Sequence, residues 1–357
     1  MRFLSILKPF RVLVLLLLIA MVMPSAKAQD YSLGNAAPLF SAHDMLQITL
    51  RGDFKTICDD IGEERQEHPA ILQYVEGSDT VTLDVQISTR GNFRRKAENC
   101  SFPPLRINFK KKQVKGTLFE NINKIKLVTQ CRPNSVTYEQ YVLEEYLIYR
   151  VYNIITDTSF RVRPAQVTYI DEGRKEKSWQ SYAFFIEPDG TLEDRLQMKE
   201  SKKKYLLQDS TQFVHVNRLA IFEYFIGNTD WATTTLHNIK LFAVDTLHLP
   251  YVIPYDFDWA GVITTEYATP HPKYGTESVS DRLFRGNCRT MEQYKANFDF
   301  FKSKKTEIYA LYQNFEPLRN RQRKDALNYY DKFFEIISDD AKIKIEFIDK
   351  CLENQVH

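Results

Sequence analysis

From Leu46 onward the chain alternates apolar and polar residues in short bursts, and this alternation restricts the fold more than any other feature. LQITLRGDF, VTLDVQISTRGNF, PLRINFKK and INKIKLVTQ follow one another between Leu46 and Gln130. Each is rich in β-branched residues and broken by Gly or Asn, so each reads as a strand, and the set reads as antiparallel. The period changes at Ser135. In SVTYEQYVLEEYLIYRVYNII, Val142, Tyr146, Tyr149 and Ile155 recur at helical spacing, and Ser135 or Thr137 is placed to cap the start. FRVRPAQVTYID and SWQSYAFFIEPDG then return to strand. The basic stretch MKESKKKYLL, Met198 to Leu207, reads as a solvated loop. QFVHVNRLAIFEYFIG reads as a buried helix stopped by Gly227, IKLFAV and YVIPY as strands, and residues 290–353 as helix throughout. The expected class is α+β, with a β-rich region over residues 29–190 and a helical region over 191–357.

The first 28 residues read as a signal peptide. Arg2, Lys8 and Arg11 precede an apolar run from Val12 to Met23, and Ala26-Lys27-Ala28 is a small-residue cleavage pattern. That run is short for a membrane span, which needs about 20 residues. The expectation is export to the periplasm, the cell surface or the medium, with no transmembrane span after cleavage. Removing residues 1–28 takes away four basic residues and no acidic ones, so the formal charge moves from +2 to −2. This excludes a global basic character of the kind that nucleic-acid binding needs. With 24 Phe and 20 Tyr, the chain can fill a large core. Five Cys, none at metal-ligand spacing, allow disulfides in an exported chain; Cys100 and Cys131 flank strand segments of one region and are the preferred pair.

Two acidic clusters stand amid apolar residues: Asp230 and Asn238 in GNTDWATTTLHNIKLF, and Asp256 and Asp258 in YVIPYDFDWAG. Carboxylates beside Trp, Phe, Ile and Val are costly to bury unless paired, hydrogen-bonded or bound to metal. Taken singly, each has an ordinary use: a turn cap, a backbone bond, a partner for Arg. If IKLF and YVIPY pair as a hairpin, Asn238 and Asp256 converge at one end of it. Asp and Asn then offer hard oxygen ligands suited to Mg²⁺ or Mn²⁺, and Asp230 is free to orient or deprotonate a hydroxyl, the division of labour used in phosphoryl transfer. His237 reads as a supporting group.

At these residues the chain resembles the CotH kinase family of atypical, protein-kinase-like proteins. TRGNFRR (Thr89 to Arg95), KIKLVTQ with the helix YEQYVLEEYLIYRVYN, SYAFFIEP, and above all GNTDW…HNIKLF…PYDFD carry the resemblance, over roughly Val81 to Gly261. It implies a kinase-like fold with an antiparallel β-rich N-terminal lobe and a mainly helical C-terminal lobe. It also implies ATP or another nucleotide as cofactor, Asp230 as the catalytic Asp, and Asn238 and Asp256 as metal ligands with Asp258 as helper. Lys126 would hold nucleotide phosphate, with Glu144 or Glu145 as its partner and Lys124 as a competitor. Arg90 would contact phosphate or brace the sheet. The expected activity is transfer of phosphate to the hydroxyl of a surface or envelope protein. The alternatives are an inactive binding protein of the cell envelope, favoured by the lack of a glycine-rich loop, and a metal-dependent hydrolase. Thr264 to Ser280, rich in Pro and Gly, is placed to line the site.

Overall fold

The computed structural model describes residues 37–270 and 272–352; the signal-peptide reading of residues 1–28 lies outside them. Seven strands carry the first half: β1 (Leu46–Gly52), β2 (His68–Glu76), β3 (Asp79–Thr89), β4 (Leu105–Phe109), β5 (Lys124–Thr129), β6 (Val162–Asp171) and β7 (Lys177–Ile186). Their order around the sheet is β1-β2-β3-β4-β5-β7-β6, and β1 pairs with β6 in parallel, Leu46 opposite Ala165 through Gly52 opposite Asp171. That parallel pairing closes a mixed barrel. The expected α+β class with a kinase-like, two-lobe fold is therefore corrected, because the strands form a closed, mixed seven-stranded barrel in place of an antiparallel lobe. Closure leaves no strand edge unpaired.

Alternation along each strand fills the ring. Leu50, Leu72, Leu83, Ile107, Leu127, Val167 and Phe185 point inward with other apolar side chains. A short helix α1 (Phe54–Asp59), capped by the Asp53 carboxylate on the Thr56 amide, brings Phe54 against Phe102, Tyr169 and Trp179, with ring centroids 5.3 to 5.9 Å from Phe54. The Tyr169 and Trp179 rings stack 5.0 Å apart.

The outer wall is used too. Helix α2 (Val136–Ile155) packs on β6 and β7, and Val128, Val162, Phe184 and Ile186 face it in a second core. Nearly every residue of α2 from Val142 to Ile155 is buried, so it has no polar stripe. Helix α3 (Asp189–Leu196) leads to β8 (Lys199–Ser201), and α4 (Phe213–Ile226) leads to the hairpin of β9 (Ile239–Ala243) and β10 (Tyr251–Pro254). These three strands form a small sheet in the order β10-β9-β8. Part of the stretch expected as a basic loop is thus an edge strand. Helices α5 (Met291–Gln313), α6 (Asn320–Ile336) and α7 (Asp340–Ile343) complete the second core around Phe225, Phe333 and Phe347. Disulfides join Cys100 to Cys131 and Cys288 to Cys351, while Cys58 is a half-buried thiol that burial pushes up to about 12. No helix among the described residues is long and apolar enough to cross a membrane.

Candidate functional site

Gly227 ends α4 in the left-handed region at φ +71°, and a Cβ there would collide with the Tyr329 hydroxyl. Only glycine turns the chain here. Asn228 then ties the turn down: its Nδ2 donates to Glu223 at 2.9 Å and its Oδ1 accepts the Asp230 amide at 3.0 Å. Glu223 is fully buried, and desolvation raises its carboxyl to about 8, against the pull of the Asn228 bond. Arg285 braces the same turn by donating to the carbonyls of Thr229 and Trp231.

Residues 232–237 form a closed loop, because Ala232 and His237 exchange backbone hydrogen bonds of 3.0 Å in both directions. The loop returns Asn238 to Asp230. Asn238 Nδ2 donates to the Asp230 carbonyl at 2.9 Å and to its Oδ2 at 2.8 Å, while His237 Nε2 lies 2.7 Å from Oδ1. The eight-residue separation of Asp230 and Asn238 is thus spanned by a small lariat.

β9 and β10 pair antiparallel, Ile239 opposite Pro254, and the Tyr255 amide donates to the Asn238 carbonyl at 2.9 Å. Asn238 and Asp256 therefore meet at one end of the hairpin, as their placement in the sequence suggests. Both adopt left-handed backbone, φ +48° and +66°. Asn and Asp tolerate that region best among residues with a side chain, and strain of this kind gathers at functional sites. The Asp256 amide donates to the Tyr149 hydroxyl at 2.9 Å, whereas its carboxylate has no hydrogen-bond or ion-pair partner among the described residues. A small recess beside Asp230 is lined by Trp259, Thr269, Pro270, Thr276 and Ser278, so the segment after Asp258 does face the site.

Asp258 has a different setting. It is buried, 3.4 Å from Arg94 Nε, and accepts from the Tyr267 hydroxyl at 3.0 Å. Arg94 also approaches Glu145 at 3.7 Å. Burial lifts both carboxyls, and Arg94 opposes that lift. Asp258 is thereby committed to Arg94.

Lys126 projects from the outer face of β5, its Nζ 5.3 Å from the centre of the Tyr255 ring. Burial lowers it to about 8, with the charges of Arg90 and Lys240 adding to the drop and those of Asp189 and Asp256 opposing it. The glutamate partner expected for it does not form. Glu144 turns away from the site towards Asp325, where burial raises its carboxyl, and Glu145 pairs with Arg94. Lys124, two residues earlier on the same face, is exposed and bonded to Glu67 at 2.9 Å. Arg90 follows β3. Its side chain has no hydrogen-bond or ion-pair partner among the described residues, its buried Nε lacks one, and Asp256 is the acidic group that acts on it most strongly.

Sequence reading did not assign Arg94, Tyr149, Tyr255 or Tyr267 to the site. Arg94 lies inside the TRGNFRR motif, which was the available signal for it; the tyrosines belong to a chain with many. No family model matches the chain, and a search of curated proteins returns no match either.

Proposed function

We propose that the chain is an exported phosphotransferase that moves phosphate from a nucleotide such as ATP to the hydroxyl of a surface or envelope protein, using a divalent metal. One observation carries the reading: two partly buried cations without counter-ions, Arg90 and Lys126, stand by one unpaired carboxylate, Asp256. Burying cations without partners is costly, and a phosphate group supplies the charge and the acceptors they lack. The resemblance of GNTDW…HNIKLF…PYDFD to the CotH family supports the same chemistry.

The donor set suits Mg²⁺ or Mn²⁺. The Asp256 carboxylate and the Asn238 Oδ1 are hard oxygens left over after the bonds described above, and such an ion keeps much of its shell as water and phosphate oxygen. Asp258 serves as a ligand only by leaving Arg94. When bound, the ion neutralises charge on the phosphate. Arg90 and Lys126 bind and orient the phosphate group. Asp230, fixed by Asn238 and His237, borders the recess that takes the acceptor, accepts the hydroxyl proton, and is linked through Oδ1 to the half-exposed His237 as a route for that proton to solvent. Two disulfides agree with an oxidising compartment.

A second reading is an inactive binding protein of the envelope. Its support is that Asp230 and Asp258 are both already engaged by side chains. Calorimetric titration with ATP, with and without Mg²⁺ or Mn²⁺, tests the first reading, with Asp256→Asn as the control because Asn keeps the backbone conformation. Metal-dependent binding that the variant loses supports the site. Binding without phosphate transfer to any hydroxyl acceptor favours the binding protein, and no binding by a folded chain removes the phosphotransferase reading and turns the search to other partners.

A further inference from the structure

Away from this site, three connections meet on one side of the small sheet: residues 202–207 after β8, the start of α4, and the β9–β10 hairpin tip, residues 244–250. Gln212 links two of them by donating from its amide and Nε2 to the carbonyls of Pro250 and Leu249. Leu247, at 91% exposure, is the most exposed large apolar side chain among the described residues; Val244 and Leu249 of the same tip are exposed as well, as are Leu207 and Val214 on the other two connections. Lys203 and Leu206 share one open groove with Leu247 and Leu249. Tyr205 stands apart from this groove, its amide donating to the Thr234 carbonyl in the loop that returns Asn238 to Asp230. Apolar groups gathered in this way mark an interaction surface, whereas single ones are ordinary.

Charge identifies the occupant. Lys202, Lys203 and Lys204 are consecutive and exposed beside the apolar tips. The acidic residues nearby are already engaged: Glu200 by Lys202 and Lys240, and Asp245 by His248. Lys203 and Lys204 have no ion pair among the described residues. Val244, Leu247 and Leu249 lie at the hairpin tip beside these lysines, a combination of apolar and cationic groups that suits an anionic lipid surface.

We propose that this face docks on an anionic lipid bilayer, with Leu247 entering the headgroup region and Lys203 and Lys204 meeting lipid phosphates. Docking of this kind is independent of the phosphotransferase reading. It sets the chain on a membrane surface by one side of the small sheet.

The test compares the full chain with Leu247→Asp, with the double variant Lys203→Glu/Lys204→Glu, and with Leu247→Trp. Vesicles of phosphatidylcholine alone, and of an equal mixture with phosphatidylglycerol, are the probes. All variants share the apolar leader, so only differences between them are read, and circular dichroism confirms folding. The charge variant is expected to bind anionic vesicles at least tenfold more weakly at low salt, given roughly fivefold for each lysine. Leu247→Asp is expected to lose roughly tenfold. The indole introduced by Leu247→Trp, read as the difference in emission from the parent, should shift to shorter wavelength and be quenched by brominated lipid in anionic vesicles. Equal binding by all variants, or an introduced indole whose emission vesicles leave unchanged, overturns the proposal. So does a dimer in solution that Leu247→Asp dissociates while vesicle binding stays the same, since the tips would then serve a second copy of the chain.

Discussion

The inside of the barrel and the outer wall where α2, α4 and the β9–β10 hairpin gather are built from one chain by opposite rules. The interior takes apolar side chains, every strand is paired on both sides, and aromatic rings meet edge to face around Phe54. The outer region buries Arg94, Glu144, Glu145, Glu223 and Asp258, and holds Leu236, Asn238, Asp256 and Thr264 in left-handed backbone. The first arrangement gains stability from burial and forfeits reactive groups. The second gives up stability to hold charges and strained turns in place, which it can do because a finished barrel stands behind it.

Phe54→Ala tests the stable side most severely. It should cost about 3–5 kcal/mol in denaturant unfolding, while nucleotide affinity of the folded fraction stays as it was. Asp256→Asn should do the reverse. Metal-dependent nucleotide binding is expected to weaken by about 2–3 kcal/mol, roughly a hundredfold, with the unfolding midpoint nearly unmoved; a large fall in stability would mean that this carboxylate is structural.

Glu223 sharpens the contrast through pH. Burial raises its carboxyl from 4.5 to about 8, so between those values the folded chain keeps a proton that the unfolded chain has released. Its contribution is complete below pH 4.5 and declines as pH rises towards 8. Glu223→Gln should therefore match the parent near pH 4.5 and be more stable by about 1–3 kcal/mol at pH 8. Parallel pH profiles for the two proteins would contradict this. The smallest effect is expected at Thr264, exposed and β-branched at φ +54°. Thr264→Asn should stabilise by about 0.5–1 kcal/mol, read as a rise in melting temperature.

Much of this was legible in the residues, and the gaps have physical causes. Alternation located β1, β3, β4 and β5, and helical spacing located α2, because these signals are local. Closure of the barrel depends on β1 finding β6 more than a hundred residues later, and no local pattern encodes a partner at that distance. Hairpin pairing of β9 with β10 was readable, and with it the meeting of Asn238 and Asp256. The choice between Glu144 and Glu145 was not. Neighbours on a helix point about 100° apart, and α2 is buried almost all round, so periodicity has no polar side against which to orient them. Lys124 and Lys126 share a face by the period of two, and only depth beneath Tyr255 separates them.

The Cys100–Cys131 bond has a bearing on how the molecule matures. Cys100 lies just beyond the loop that carries Arg90 and Arg94, and Cys131 just beyond the strand that carries Lys126. The same covalent clasp thus joins the two segments whose cations face Asp256. A newly made chain with reduced thiols has the barrel's hydrogen-bonded ring to rely on, yet its arginine loop is held only by weaker ties. Oxidation fixes that loop and finishes the cationic half of the site. On the proposed reading, a chain kept reduced would have a sound scaffold with a slackened site.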